Sequence, residues 1–240
     1  MVGAKRAAEK AENILCSMPP VSIEQRVHWL GHAGFRLNLA GKTIYIDPYR
    51  APRGPEADLI LITHDHFDHF SPEDLEQLLG KGTRVIGPAT VTEQLKGAVV
   101  TIAPGESVEL LGIDITAVAA YNTNKVDSDG KPFHPRESGW VGYVVTGGGN
   151  RIYHSGDTDV IPELDQAGGA DVALLPVSGT YVMTAVEAAE AARRIDPTLA
   201  IPMHWGTLIG SREDAEQFAE LADVEVRIPE RVGEAIGTQG

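Results

Sequence analysis

Residues 59–69 run Leu59-Ile60-Leu61-Ile62-Thr63-His64-Asp65-His66-Phe67-Asp68-His69. The four leading residues are continuously apolar, the pattern of a short strand covered on both faces. That strand runs straight into three imidazoles and two carboxylates within six residues. Beyond them Ser71 offers a helix N-cap, Pro72 takes the first helical position, and Glu73 and Asp74 complement the helix dipole before Gly80 ends the helix. The cluster therefore occupies a strand-to-helix loop. In an extended segment residues i and i+2 point the same way, so His64 and His66 can reach one metal ion while Asp68 and His69, at the next turn, reach a second. Nitrogen and carboxylate ligands without thiolate suit Zn2+, with Mn2+, Ni2+ or Fe2+ as alternatives, and leave room for water.

Outward from this segment, the pattern alternates short strands with capped helices. Phe35, Leu37 and Leu39 alternate with Arg36, Asn38 and Ala40, and Ile44 and Ile46 follow the Gly41-Lys42 turn, which predicts an antiparallel hairpin. After the cluster come a strand at 84–86, a helix near 90–96, and paired strands at 108–110 and 113–118. Residues 121–139 are polar, without a period, and read as a long loop. Two strands, 140–145 and 151–154, flank the turn Gly147-Gly148-Gly149-Asn150. A buried strand at 171–177 precedes a helix opened by the Thr184/Glu187 capping box, a strand at 199–203 ends in His204, Ser211 caps a helix to Leu221, and a last strand covers 224–228. The two halves share this order. Residues 1–20 read as an appended helix, with apolar residues from Ala4 to Met18 at helical spacing before Pro19-Pro20, and residues 21–240 as one domain.

With 20 basic and 34 acidic residues the net charge is −14, which argues against binding nucleic acid or anionic lipid. The single cysteine, Cys16, cannot form an intrachain disulfide and fits a reducing compartment. No apolar run is long enough to span a membrane, and the first residues are too charged for a signal peptide, so the expected location is cytoplasmic. The N-terminal helix offers a face for homo-oligomer formation or for packing on its own domain.

The motif His64-Xaa-His66-Xaa-Asp68-His69 at the end of a buried strand resembles the signature of the metallo-β-lactamase superfamily. Asp47 after Ile44-Tyr45-Ile46 resembles the aspartate that supports the histidine loop, Gly156-Asp157-Thr158 the segment whose aspartate bridges two metals, and His204 the last ligand. The resemblance covers about residues 27–228. Within the superfamily, the segments Tyr153 to Thr158 and Pro202-Met203-His204 look most like the branch containing ascorbate-6-phosphate lactonase and N-acylphosphatidylethanolamine phospholipase D. It implies an α+β fold, a four-layer αββα sandwich with the metal site at one edge. It implies further that His64, His66 and a third group hold the first metal, that Asp68, His69 and His204 hold the second, and that Asp157 bridges them.

Where the superfamily supplies its third first-site histidine, in Ala120-Tyr121-Asn122-Thr123, this chain has Asn122, and an amide is a poorer zinc ligand than imidazole. His134, on the long loop, and His154, three residues before Asp157, are the candidates to replace it, each with a structural alternative. His28 and His32 read as packing or turn residues, and Tyr181 and Met183 as pocket lining or core. The resulting expectation is a metal-dependent hydrolase with one or two ions acting on a small-molecule ester, lactone or phosphodiester, Asp68 orienting the attacking water or accepting its proton. A metal-binding or sensing protein without turnover is the alternative. Imidazole rather than glutamate at position 66 favours hydrolysis over the redox work of the diiron members.

Overall fold

The computed structural model describes residues 23–233, so the helix expected over residues 4–18 lies outside the described residues. Strands β1 (Val27–Gly31), β2 (Gly34–Leu39), β3 (Lys42–Ile46), β4 (Ala57–Leu61), β5 (Leu79–Gly87) and β6 (Val99–Thr101) form one sheet in that order. Its first three strands are antiparallel neighbours, and β3 to β6 run parallel. Strands β7 (Ser107–Leu110), β8 (Ile113–Ala119), β9 (Val141–Gly147), β10 (Asn150–His154), β11 (Val172–Pro176), β12 (Leu199–Met203) and β13 (Glu225–Val226) form the second. It follows the same plan, an antiparallel meander to β10 and then parallel strands.

The continuous apolar run in β4 is explained by two cores. Leu59 and Leu61 join the cluster between the sheets, while Ile60 and Ile62 join Tyr45, Leu75 and Leu78 on the outer face. Leu75 and Leu78 belong to helix α1 (Pro72–Leu78), capped by Ser71, whose hydroxyl accepts from Asp74 N–H at 3.3 Å. Helix α2 (Ala89–Thr92) is a single turn beside β5. On the other side α3 (Ala185–Ile195) and α4 (Arg212–Leu221) cover β11 and β12, with Ala188, Ala192, Ala215 and Phe218 buried. The result is the expected four-layer αββα sandwich. Among the described residues no helix is long and apolar enough to cross a membrane.

Several local expectations are revised. Helix α1 stops at Leu78 and β5 begins at once, because Leu79 pairs with Ala57, so Gly80 lies within a strand rather than ending a helix. The helix expected at 90–96 shortens to one turn: β-branched Val91 and Thr92 favour it weakly, and Gly97 reverses the chain at φ +103°. The strand expected at 224–228 contracts to Glu225–Val226. The Gly148-Gly149 turn has φ of +59° and +79°, the positive pair that matches the twist of a two-residue hairpin.

The long connection between β8 and β9 is anchored rather than free. Asp159 Oδ2 accepts Thr123 N–H at 2.6 Å and Asn124 N–H at 3.0 Å. Lys125 Nζ reaches Glu187 Oε2 at 2.8 Å, and Glu187 also accepts from Thr184 N–H at 2.8 Å in the capping box of α3. Partial burial pushes the Glu187 carboxyl up, but Lys125, the Thr184 backbone and Asn124 outweigh it and hold the group at about 2. A depressed carboxylate stabilises the fold above its unfolded value and loses that contribution as pH falls toward its folded value. The melting-temperature gap between wild type and Glu187→Gln should therefore be open at pH 6 and narrow steadily toward pH 3; a gap independent of pH would show that the charge of Glu187 contributes nothing to the loop anchor.

Candidate metal centre

Strand ends from both sheets meet at one edge of the sandwich. β4 leads into His64 to His69, β3 into Asp47, β10 into Asp157 and β12 into His204. The His66 carbonyl accepts His69 N–H at 3.0 Å and Phe70 N–H at 2.8 Å, so the chain turns immediately after His66 and brings His69 back beside His64, their rings 4.1 Å apart. Gly156 has φ +63°, and a side chain there would put its Cβ 2.7 Å from the Val141 carbonyl, so only glycine lets Asp157 swing inward. The sheets are tied together beside the cluster by Val141 N–H to the Thr63 carbonyl at 3.1 Å and by the Tyr143 hydroxyl to the Ile62 carbonyl at 2.7 Å.

Four imidazoles are held by Nδ1. Asp47 Oδ2 accepts from His69 Nδ1 at 2.8 Å and from the Thr63 hydroxyl at 2.6 Å, while Asp47 Oδ1 accepts Thr63 N–H at 2.8 Å. The Thr63 hydroxyl, its proton committed to Asp47, accepts from His64 Nδ1 at 2.9 Å. Asn122 Oδ1 accepts from His134 Nδ1 at 2.9 Å and His134 N–H at 2.8 Å. The Ser178 hydroxyl holds His204 Nδ1 at 3.0 Å. An acceptor at Nδ1 fixes the proton there and leaves the Nε2 lone pair as a ligand.

Those four Nε2 atoms are buried without hydrogen-bond partners, as is Asp157 Oδ1. They face one another: Asp157 Oδ2 lies 3.1 Å from His204 Nε2, 3.2 Å from His134 Nε2, 3.4 Å from His69 Nε2 and 4.0 Å from His64 Nε2. Buried polar atoms left unpaired are costly, and a cation between them satisfies all of them at once. The electrostatics agree. Burial opposes charge on His69, but Asp157 and Asp47 outweigh it and raise its pKa well above the ordinary value. Burial likewise opposes charge on Asp157, yet His204 and His69 hold its carboxyl well below the usual range. The centre calls for positive charge.

The ligand atoms sort into overlapping sets, each within 4.8 Å: His64, His66 and His134; His64, His69 and Asp157; and His32, Asp68, His69 and His204. Asp157 sits between the first and last of these. The residues fit divalent metal, in one position or two. Trp140 walls the first set, its ring 4.7 Å from that of His66.

Of the candidates for the third first-site ligand, the structure brings His134 to the cluster and leaves His154 out. Both ring nitrogens of His154 are engaged elsewhere, Nε2 with the Ala33 carbonyl at 2.8 Å and Nδ1 with Gly156 N–H at 3.1 Å. Asn122 turns its amide oxygen to the backbone N–H and Nδ1 of His134. Tyr181 lines the cavity over the cluster, whereas Met183 is buried in the main core, and His28 on β1 pairs with Asn38 on β2.

His32 was expected to pack or to close a turn, and the structure sets it inside the cluster instead. Burial pushes its pKa down to about 4 against the pull of Asp68. Burial raises the Asp68 carboxyl, but the hydrogen bond from His32 and the charge near His69 bring it to about 2. The pair is therefore neutral imidazole and carboxylate, with Nε2–H donating to Asp68 Oδ2 at 2.9 Å. The His32 carbonyl also accepts His204 N–H at 2.9 Å, joining the end of β1 to the end of β12. A histidine directly after a strand, as His204 also is, is the available sequence signal.

The model of the β-lactamase superfamily domain matches residues 26–204, and the chain belongs to that family, the metallo-β-lactamase superfamily. Among curated relatives, a UPF0173 metal-dependent hydrolase of Methanopyrus kandleri is 34% identical over 225 residues, covering 85% of this chain and 96% of the relative. A solved structure from Parabacteroides distasonis, described as a metal-dependent hydrolase, superposes with a TM-score of 0.75 at 31% identity, covering 85% of this chain and 92% of that one. Another from Thermotoga maritima, described as a Zn-dependent hydrolase of the metallo-β-lactamase superfamily, has a TM-score of 0.59 at 26% identity, covering 85% and 97%.

The anchoring role of Asn122 separates it from His154. Asn122→Ala should weaken metal affinity about 10 to 100-fold, read by competition with a chromogenic chelator, while His154→Ala lowers stability and leaves affinity within about twofold. The reverse ranking would place the third ligand at His154.

Proposed function

We propose that this chain, a metal-dependent hydrolase like the relatives it matches, works through a two-cation zinc centre on a small-molecule ester, lactone or phosphodiester. His64, His66 and His134 would hold one ion, Asp68, His69 and His204 the other, with Asp157 between them. The single observation that carries this is the convergence of unpartnered, buried Nε2 atoms on one carboxylate. Zinc is the preferred metal because the donor set is imidazole-rich with few carboxylates, and the Thermotoga maritima relative is described as Zn-dependent. When bound, the cations supply an acidified water and a polarised carbonyl or phosphoryl oxygen.

The chain's own residues do the rest. Asp68 lines the cavity and is ionised at neutral pH. A carboxylate held so low is a weak base, so its role is to orient water and balance charge rather than to store its proton. His32 fixes the Asp68 carboxylate by donating to Oδ2, and Asp47 fixes His69.

Asp157→Ala should lower zinc content from about two ions per chain to one or none by elemental analysis, and reduce chelator-sensitive hydrolysis of generic esters by at least about 100-fold. Circular dichroism checks that the variant is folded. Full metal content with full rate would refute the bridging assignment.

A further inference from the structure

The cavity above the centre has a volume of about 360 Å³, and its two kinds of wall differ sharply. The floor carries His66, Asp68, His134, Asp157 and His204; the sides are Phe67, Phe133, Tyr181, Leu208 and Ile209. Among the described residues that line it, none is lysine or arginine. Phe67 is 68% exposed, Leu208 44% and Tyr181 39%, three of the eight large hydrophobic side chains exposed among the described residues. Exposed apolar groups gathered at one pocket mouth mark a surface that binds apolar matter. These walls are braced: Phe133 and Tyr181 meet edge to face at 4.7 Å, and Phe67 meets Tyr49 likewise at 6.0 Å.

Resting on the hydrolase reading above, we infer that the substrate is a carboxylic ester or lactone whose flanking group is an uncharged hydrocarbon. A substrate arm leaving the centre passes aromatic and aliphatic side chains, which reward burial of methylenes and give no counter-ion to a second negative charge. The charged side chains it meets are Asp68 and Asp157, in a protein of net charge −14. Phosphorylated lactones, which one branch of the sequence resemblance implies, are therefore disfavoured. In the reaction water's oxygen bonds to the acyl carbon and the acyl C–O bond breaks with its electron pair on the alcohol oxygen. The alcohol takes one proton of the water and the carboxylic acid releases the other, with no change of oxidation state.

The test uses zinc-loaded full-length protein with p-nitrophenyl acetate, butyrate and octanoate, p-nitrophenyl hemisuccinate and bis(p-nitrophenyl) phosphate, each with and without chelator. In parallel, calorimetry measures binding of 2-butanone, 2-hexanone and 2-octanone, which are neutral and not hydrolysed. Both kcat/KM for the esters and affinity for the ketones should rise roughly threefold per added methylene. The hemisuccinate should fall roughly tenfold below the butyrate. Phe67→Ser should flatten both slopes, and Leu208→Arg, which adds a cation to the wall, should raise the hemisuccinate relative to the butyrate. Chelator-sensitive hydrolysis with flat slopes, or preference for the hemisuccinate or the phosphodiester, would overturn this inference and leave the hydrolase reading intact. A ketone slope without chelator-sensitive hydrolysis of any ester would overturn the hydrolase reading and the ester assignment with it.

Discussion

The site depends on a division of labour within each imidazole. Nδ1 of His64, His69, His134 and His204 is committed to Thr63, Asp47, Asn122 and Ser178, and each commitment turns Nε2 toward the same small volume. Thr63 adjoins His64, but Asp47, Asn122 and Ser178 are remote in sequence from the rings they hold, so those three rings are aimed by the fold rather than by local sequence. A buried nitrogen with no protein partner is unfavourable by itself, and four of them around one carboxylate make sense only as parts of a cation site. A cation placed among them would relieve the cost of leaving those nitrogens unpaired.

The sandwich creates this arrangement through its repeated plan. In each sheet a meander is followed by parallel strands, and parallel strands deliver their C-terminal ends to one edge. β3 and β4 bring Asp47 and the histidine loop from the first sheet; β10, β11 and β12 bring Asp157, Ser178 and His204 from the second. Cross-sheet hydrogen bonds from Val141 to Thr63 and from His204 to His32 set the two edges against each other. Rigid backbone, not flexible side chains, determines the spacing of the ligands.

Legibility in the sequence followed the range of the interactions. The His64 to His69 segment was readable because its ligand spacing is local, and β4 because burial on both faces leaves a continuous apolar run. The family resemblance extended this to the four-layer fold. His134 and His154 could not be separated, because the deciding contact runs from His134 to Asn122 across an aperiodic loop, and because both nitrogens of His154 are taken by backbone groups at Ala33 and Gly156. His32 reads as a packing or turn residue for the same reason: its partners, Asp68 and His204, are remote in sequence. At Gly80 sheet pairing decided, through Leu79 opposite Ala57, whereas at Thr92 weak helix formers shortened the helix to one turn.

An anomalous-difference map at the zinc edge, from crystals of zinc-loaded protein, addresses the centre most directly. The account predicts two peaks flanking Asp157, one against the Nε2 atoms of His64 and His134 and the other against those of His69 and His204. Absence of any peak among these side chains, or zinc bound elsewhere on the chain while they stay unliganded, would contradict it.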